Sequence, residues 1–105
     1  MQQIPINQVP NQTLSCVLSE QSVTLAIRQT DYGVFMDVYK SGTLVIGGVI
    51  CEVMNRIVRS TYLHFDGDFF WQDTQGSDDP DYSGFNDRWL LFYVTPDELA
   101  QISAI

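Results

Sequence analysis

The side chains of this chain that could do chemistry are mostly carboxylates, and they are concentrated in one stretch. Seven of the 13 acidic residues fall within the 22 residues from 66 to 87, and they are Asp66, Asp68, Asp73, Asp78, Asp79, Asp81 and Asp87. Clustered carboxylates are the ligands that Ca²⁺ prefers. The stretch lacks the alternating acidic positions, central glycine and closing glutamate of an EF-hand loop. The spacing favours a solvated acidic loop over a metal site, so we expect neither a metal nor a cofactor.

The sequence offers no recognisable set of catalytic residues either. His64 is the only histidine, and it lies between Leu63 and Phe65 in a predicted strand. A Ser-His-Asp or Cys-His mechanism would have to use it, but no Gly-x-Ser-x-Gly sequence is present. Cys16 and Cys51 occupy apolar strand positions, which predicts buried thiols, although neighbouring strands would also permit a disulfide. The sequence therefore predicts no enzyme.

The net charge limits the classes of partner. Five basic residues against 13 acidic ones give a charge of −8. Nucleic-acid binding relies on clustered Lys and Arg, so no sequence-specific nucleic-acid partner is expected. The apolar runs are shorter than the ~20 residues of a membrane span, and the first residues do not resemble a signal peptide. We expect a protein without a membrane partner whose acidity serves solubility or repels a nearby polyanion.

The elements that would position these groups are short strands in one domain, residues 1–105. Apolar and polar residues alternate with the period of half-buried antiparallel strands up to residue 40. Ser41-Gly42 then predicts a tight hairpin turn. Gly47-Gly48, inside the next apolar run, predicts a bulge or bend, or a point where a neighbouring subunit approaches the backbone. The predicted strands of this half are Gln12–Leu18, Gln21–Gln29, Val34–Lys40 and the run from Thr43.

The second half of the chain continues in the same style. Residues 54–60 are interpreted as a crossing connection, and Tyr62–Phe65 and Phe69–Trp71 as two strands. The loop 73–87 must run over the surface. Trp89–Val94 is apolar on both faces, which is typical of a central strand, and a capping box at Thr95 begins a short helix. The sequence predicts an all-β fold, a small antiparallel β-sandwich or barrel with a short C-terminal helical turn.

Two features suggest contacts with other proteins. The aromatic residues of 69–71 and 89–93 occupy both strand faces, so either the domain or a partner must cover them. The first ten residues predict an extended arm, because two prolines stiffen it and oppose internal pairing while its apolar side chains need cover. We expect this arm and the loop 73–87 to contact neighbouring proteins, although Trp89 would also suit the core. The predicted interface residues are Ile4, Pro5, Ile6, Val9, Pro10, Arg88 and Trp89.

The two ends of the chain resemble a known family. Ile4-Pro5-Ile6 with Val9-Pro10-Asn11-Gln12-Thr13-Leu14, and the closing run from Asp87 to Leu99, DRWLLFYVTPDEL, are similar to the baseplate plug proteins of contractile-tailed phages, including cyanophages. The resemblance spans nearly the whole chain and is most specific at these two segments. The middle matches only in its succession of turns and alternating strands.

This resemblance implies a structural virion protein located in the tail baseplate after synthesis in the host cytoplasm. It implies a plug that closes the tail-tube lumen, contacts hub, spike and tail-tube proteins, and forms a homo-oligomer matched to three-fold or six-fold symmetry. The acidity would then keep DNA from adhering. Two alternatives are an acidic DNA-mimic inhibitor, which needs charges ordered along one face, and a calcium-dependent carbohydrate-binding module with Trp71 or Trp89 stacked on sugar.

Overall fold

Seven strands form two antiparallel sheets in the described part of the chain. The computed structural model describes residues 2–58 and 65–103. The strand orders are β2-β3-β4-β5 in one sheet and β1-β7-β6 in the other. This confirms the all-β prediction. The elements are β1 (Gln2–Ile4), β2 (Asn11–Leu18), β3 (Gln21–Thr30), β4 (Gly33–Lys40), β5 (Thr43–Ile50), β6 (Asp68–Asp73), a 3-10 turn (Tyr82–Gly84), β7 (Trp89–Val94) and α1 (Pro96–Ser103).

The four-stranded sheet is a meander of hairpins, as its alternation predicted. Val23, Leu25 and Ile27 of β3 point into the core and are fully buried, whereas the residues between them face outward. The Ser41-Gly42 turn has positive φ at both residues, 51° and 80°. That backbone twist matches the twist of the flanking strands, so the tight hairpin turn is confirmed.

A bend in β4 and β5 is held by one carboxylate. The pairing register shifts around Val38, and Gly48 adopts a φ of 65°. Asp37 accepts a hydrogen bond from the Gly48 N–H at 2.6 Å and pairs with Arg28 at 2.7 Å. Burial alone would raise the pKa of Asp37, but the hydrogen bonds from Arg28 and Gly48 bring it below its usual value. The predicted bend at Gly47-Gly48 is therefore confirmed, and Asp37 fixes its geometry.

The three-stranded sheet is built around β7. Leu91 of β7 lies opposite Ile4 of β1 on one side and opposite Trp71 of β6 on the other. This confirms that β7 is a central strand. The expectation that prolines keep the arm from pairing is wrong for residues 2–4. Pro5 follows β1, so it removes no donor from the three residues that pair with β7.

The four largest fully buried side chains of the core are aromatic. Phe69 and Tyr93 lie 5.4 Å apart between ring centroids, and Trp71 and Phe85 lie 5.1 Å apart. All four are fully buried, so this chain covers the inner aromatic face of its own sheet. Rings this close are worth about 0.5–1.5 kcal/mol per pair beyond their burial.

The remaining local predictions concern the start of α1, the connection before β6 and the strand predicted at residues 62–65. Thr95 begins α1 with the predicted capping box, since Glu98 N–H donates to its hydroxyl and its own N–H donates to the Glu98 carboxylate. Residues 53–57 form a connection beside β6, with Ile57 N–H donating to the Phe69 carbonyl at 3.0 Å. The predicted strand Tyr62–Phe65 lies outside the described residues except for Phe65, and so does His64.

None of the described helices has the length and apolar composition that a membrane span requires.

Both cysteines are free thiols, so the disulfide that the sequence left open is not formed. Cys51 is buried and Cys16 is half-buried, at the apolar strand positions expected for them. Burial raises the pKa of the Cys51 thiol to about 12. The thiol is therefore protonated at neutral pH and unreactive as a nucleophile.

Removing the Asp37 carboxylate should destabilise the protein without changing its fold. Asp37→Ala leaves the Gly48 N–H and the Arg28 side chain without their acceptor, and we expect a loss of about 1–2 kcal/mol in the free energy of unfolding. Urea denaturation measures the loss. Asp31→Ala, at an exposed turn of the same sheet, is the control and should change stability by less than about 0.5 kcal/mol. Equal effects of the two substitutions would contradict the role given to Asp37.

Candidate functional site

The acidic loop is closed at its base by a single arginine. Asp73 is the last residue of β6, and Arg88 directly precedes β7. Arg88 Nε and Nη2 donate to the two Asp73 carboxylate oxygens at 2.8 Å each, and Nη2 also donates to Asp78 at 2.8 Å. Two parallel hydrogen bonds between a guanidinium and a carboxylate fix both the distance and the orientation of the partners. The two ends of the loop are therefore joined by a rigid contact.

Asp73 organises the start of the loop as well as its base. Its carboxylate accepts hydrogen bonds from the backbone N–H groups of Gln75 and Asp78, both at 2.9 Å. The hydrogen bonds from Arg88 hold the pKa of Asp73 well below its usual range, and the same contacts raise the pKa of Arg88. The pair is ionised at all pH values near neutrality. A carboxylate with this many donors acts as a structural centre for the loop.

Trp89 ties the same loop to the core. It is 7% exposed, and its indole N–H donates to the Asp78 carbonyl at 3.0 Å. The Arg88 guanidinium lies 4.5 Å from the centre of its ring, within cation–π range. Gly84 packs so closely beneath the ring that a Cβ would overlap it. Arg88 and Trp89 thus anchor the loop within this chain, and their place at an interface with another protein stays a prediction.

The rest of the loop is folded over the domain. Asp81 caps the 3-10 turn by accepting from the Ser83 N–H, and the Tyr82 N–H donates to the Gln29 side chain of β3 at 3.0 Å. The Val53 N–H donates to Asp79 at 3.2 Å. Such contacts replace solvent at the loop backbone and hold the exposed carboxylates in fixed positions.

The N-terminal arm lies against this loop. The Gln8 side chain donates to the Phe85 carbonyl at 3.0 Å, and the Asn86 side-chain amide donates to the Ile6 carbonyl. The structure thus brings together the two segments that the sequence assigned to partner contacts. Both leave the three-stranded sheet at the end where β7 begins, since Ile4 pairs with Leu91 and Asp73 with Trp89.

The seven predicted interface residues differ in exposure. Ile4 and Ile6 are buried in the core of their own chain, so the argument that a partner must cover them is wrong. Val9 is 40% exposed. Pro5 and Pro10 are exposed as well. Of the five predicted interface residues in the arm, Pro5, Val9 and Pro10 are therefore the exposed ones.

Two acidic residues of the cluster are not solvated, contrary to the expectation for residues 66–87. Asp68 is buried, and its carboxylate accepts hydrogen bonds from the backbone N–H groups of Ile57, Val58 and Phe69 at 2.7–3.1 Å. Asp73 is the second. The signal was present in the sequence, because both residues stand at the ends of an apolar strand. Among the described residues, no group of three or more His, Cys, Asp or Glu side chains is arranged to hold a metal.

The charge is divided unevenly between the two halves of the chain. Residues 11–50, which build the four-stranded sheet, carry three acidic and two basic side chains, a net charge of −1. Residues 51–105 carry ten acidic and three basic side chains, a net charge of −7. The arm contributes no charged side chain. A near-neutral sheet is therefore joined to a strongly acidic half.

Comparison with known proteins identifies the family. The family model described as "Cyanophage baseplate Pam3 plug gp18" matches residues 1–97. The chain belongs to this family. The match includes every strand of both sheets and ends in the first turn of α1. No curated protein matches the chain.

Membership in the baseplate plug family establishes a structural role in a phage tail baseplate. It confirms the family that the terminal segments resembled. A baseplate plug works within an assembly of other baseplate proteins, which is consistent with the expected absence of catalysis.

The contribution of Arg88 to the stability of the folded state should decrease as the pH falls. The folded-state pKa of Asp73 lies below its unfolded value of about 3.9, so the pair stabilises the folded state above that pH and loses this effect below it. We expect Arg88→Gln to be less stable than the natural protein at neutral pH, with a difference that shrinks below about pH 4. Urea denaturation over a pH series measures the difference.

An Asp73→Asn background is the control for this prediction. Arg88→Gln should then have a smaller effect at neutral pH, because the ionised partner is already absent. A difference between Arg88→Gln and the natural protein that grows as the pH falls below about 4 would contradict the assignment.

Proposed function

We propose that this protein occupies the baseplate core of a contractile tail and closes the tail-tube lumen until ejection. It contacts hub, spike and tail-tube proteins there, and more than one copy is arranged around the tail axis. It reaches this position from the host cytoplasm, where it is synthesised. The observation that carries the proposal is the match to the plug family over residues 1–97.

The uneven charge supports a position beside the DNA path. A surface that meets the genome must not bind phosphate, and a net charge of −7 on one half of the chain repels it. The near-neutral sheet has no such effect and suits contact with protein. We therefore place the acidic half toward the lumen and the four-stranded sheet toward the surrounding baseplate.

The anchored loop is consistent with a plug whose structure does not change under mechanical force. Arg88 donates to the exposed Asp78 carboxylate, Trp89 donates to the Asp78 carbonyl, and the Val53 N–H donates to the Asp79 carboxylate. A loop fixed in this way presents a constant charged surface to the lumen. The domain measures 33 × 31 × 21 Å, so a small number of copies is enough to obstruct a channel that conducts one DNA duplex.

Neither alternative function gains support from the geometry. Trp71 is fully buried and Trp89 nearly so, which leaves neither ring available to stack on a sugar. A DNA mimic needs carboxylates ordered along one face, but Asp68 and Asp73 are buried and bonded within the chain. The acidic residues of the loop lie close together because they belong to one folded segment.

Closure of the lumen can be tested on the tail itself. In particles assembled without this protein, we expect tails that form poorly or release DNA before they contract, because nothing obstructs the tube. Electron cryomicroscopy of intact virions should show density for this protein on the tail axis above the spike, and particles that have ejected their genome should lack it there. Density confined to the outside of the baseplate would disprove lumen closure while leaving the family assignment in place.

The exposed part of the arm should contribute to assembly. Deletion of the arm would also remove Ile4 and Ile6 from the core, so a point substitution separates assembly from folding. We expect Val9→Asp to fold normally and to enter baseplates several-fold less efficiently, because it places a charge on an apolar contact. Quantitative mass spectrometry of purified baseplates measures the occupancy.

Met54→Asp is the matched control, since Met54 is an exposed apolar residue outside the arm. It should fold normally and assemble at the natural level. Normal occupancy for Val9→Asp would show that the arm is not an assembly element.

A further inference from the structure

The N-terminal arm is held against the rest of the domain at a defined surface. β1 pairs with β7, with Ile4 opposite Leu91, and both Ile4 and Ile6 are buried. The Gln8 side chain donates to the loop 73–87, and the same loop donates to the arm at the Ile6 carbonyl. We call the surface that receives the arm the arm socket, and its residues are Phe85, Asn86, Leu91, Phe92 and Tyr93.

The arm socket is held in place by contacts that do not involve the arm. β7 pairs with β6 along its other side, over the full length of both strands. The hydrogen bonds from Arg88 to Asp73 close the loop that carries Phe85. The Phe85 ring also lies 5.1 Å from the Trp71 ring between centroids. The socket is therefore suited to an arm of this sequence whether the arm belongs to the same chain or to a second copy.

The turn that folds the arm back is held by one side chain. Residues 8–10 form a bend, and the Gln12 carboxamide accepts from the Asn7 N–H at 2.9 Å and donates to the Asn7 carbonyl at 2.7 Å. Both hydrogen bonds are exposed to solvent. Val9 precedes Pro10, and a residue before proline prefers extended backbone. The local sequence thus favours an open arm, and two exposed hydrogen bonds oppose it.

The arm is also the segment best suited to cross between two copies. Each copy carries a net charge of −8, so the close approach of two copies brings repulsion. Residues 1–10 have no charged side chain. Because the arm socket is the same in every copy, a transferred arm keeps its pairing with β7 and the buried positions of Ile4 and Ile6. Exchange therefore conserves the contacts of the arm and gives up only the turn.

We propose that, in the assembled baseplate, residues 2–6 of each copy occupy the arm socket of the neighbouring copy. The inference rests on the proposed function, because it requires more than one copy around the tail axis. Every copy both donates and receives an arm, since an empty socket would leave apolar surface uncovered. A closed ring of copies satisfies this condition.

Reach and concentration restrict the exchange to adjacent copies in an assembly. Residues 5–10 connect β1 to β2 and span at most about 20 Å when extended. The smallest dimension of the domain is 21 Å, so an arm reaches the next copy and no further. In dilute solution the arm occupies its own socket, because exchange needs two chains to meet. Assembly places copies side by side and raises the effective concentration of the neighbouring arm.

A pair of cysteines reports which chain supplies the arm. Gln3 lies opposite Phe92, so the Cα atoms of this pair are within disulfide range. Gln3→Cys with Phe92→Cys, oxidised in dilute solution, should form a bond within one chain and migrate at the mass of one chain on a nonreducing gel. The same variant oxidised in purified baseplates should shift to twice that mass or more. Each single substitution is a control and should remain at the mass of one chain.

A photoreactive side chain gives the same information without a change in β7. Phe92 stacks on Phe70, so its replacement could weaken the sheet, whereas Gln3 is exposed. A benzophenone amino acid at position 3 should crosslink to β7 of the same chain in dilute solution and to β7 of a second copy in baseplates. The same amino acid at Thr13, an exposed residue of β2, is the control and should give no crosslink to β7.

Locking the arm in its own socket tests whether exchange is needed for assembly. The double-cysteine variant is oxidised in dilute solution and then added to baseplates that were assembled without this protein. The locked protein should enter these baseplates about tenfold less than the same variant after reduction, because its arm cannot reach a neighbour. The natural protein, treated with the same oxidant, should enter at its usual level.

Three outcomes would overturn the proposal. Products of one chain mass in baseplates that hold the usual amount of this protein would show that each arm stays in its own socket. Crosslinks from position 3 to a different baseplate protein would replace the second copy with another partner. Equal entry of the locked and the reduced variant would show that assembly does not require exchange. Absence of the natural protein from purified baseplates would instead remove the proposed function, and this inference with it.

Discussion

The ion pair between Asp73 and Arg88 is the interaction on which the acidic half depends. Asp73 ends one strand, Arg88 precedes the next, and their two hydrogen bonds close a loop of 14 residues between them. A buried carboxylate without its partner would be strongly destabilising, so the pair makes the loop closure obligatory. The Trp89 indole donates to the same loop, and the Gln8 side chain of the N-terminal arm donates to its Phe85 carbonyl. The acidic surface is therefore a folded part of the domain.

The local elements could be predicted from the sequence because their signals are local. Period-two alternation identified β2, β3 and β4 within one or two residues, and the capping box at Thr95 identified the start of α1. The two-sided apolar run of β7 indicated its central position. Each of these patterns depends on neighbours a few residues away in the chain, where side-chain period and capping chemistry decide the structure.

The errors concern contacts between distant segments. The local stiffness of the prolines predicts an unpaired arm, but β1 is placed by pairing with β7, a strand about 90 residues away in the sequence. The charge of Asp68 and Asp73 predicts solvated side chains, but the Val58 N–H and the Arg88 guanidinium, which lie 10 and 15 residues away, bond these carboxylates in buried positions. The composition of a segment indicates how much apolar surface must be buried, whereas the topology determines which element packs against it.

Pairing of β1 with β7 also has a consequence for biosynthesis. Gln2 lies opposite Tyr93, so the first described strand can join its sheet only after nearly the whole chain has left the ribosome. The β2–β5 meander has short connections and can form while the chain is still growing, whereas the other sheet requires closure across about 90 residues. Until then Ile4, Ile6 and the inner side of the meander have no cover. The nascent protein therefore remains without a complete core until β7 has left the ribosome, which makes the last strand of the fold the one that completes it.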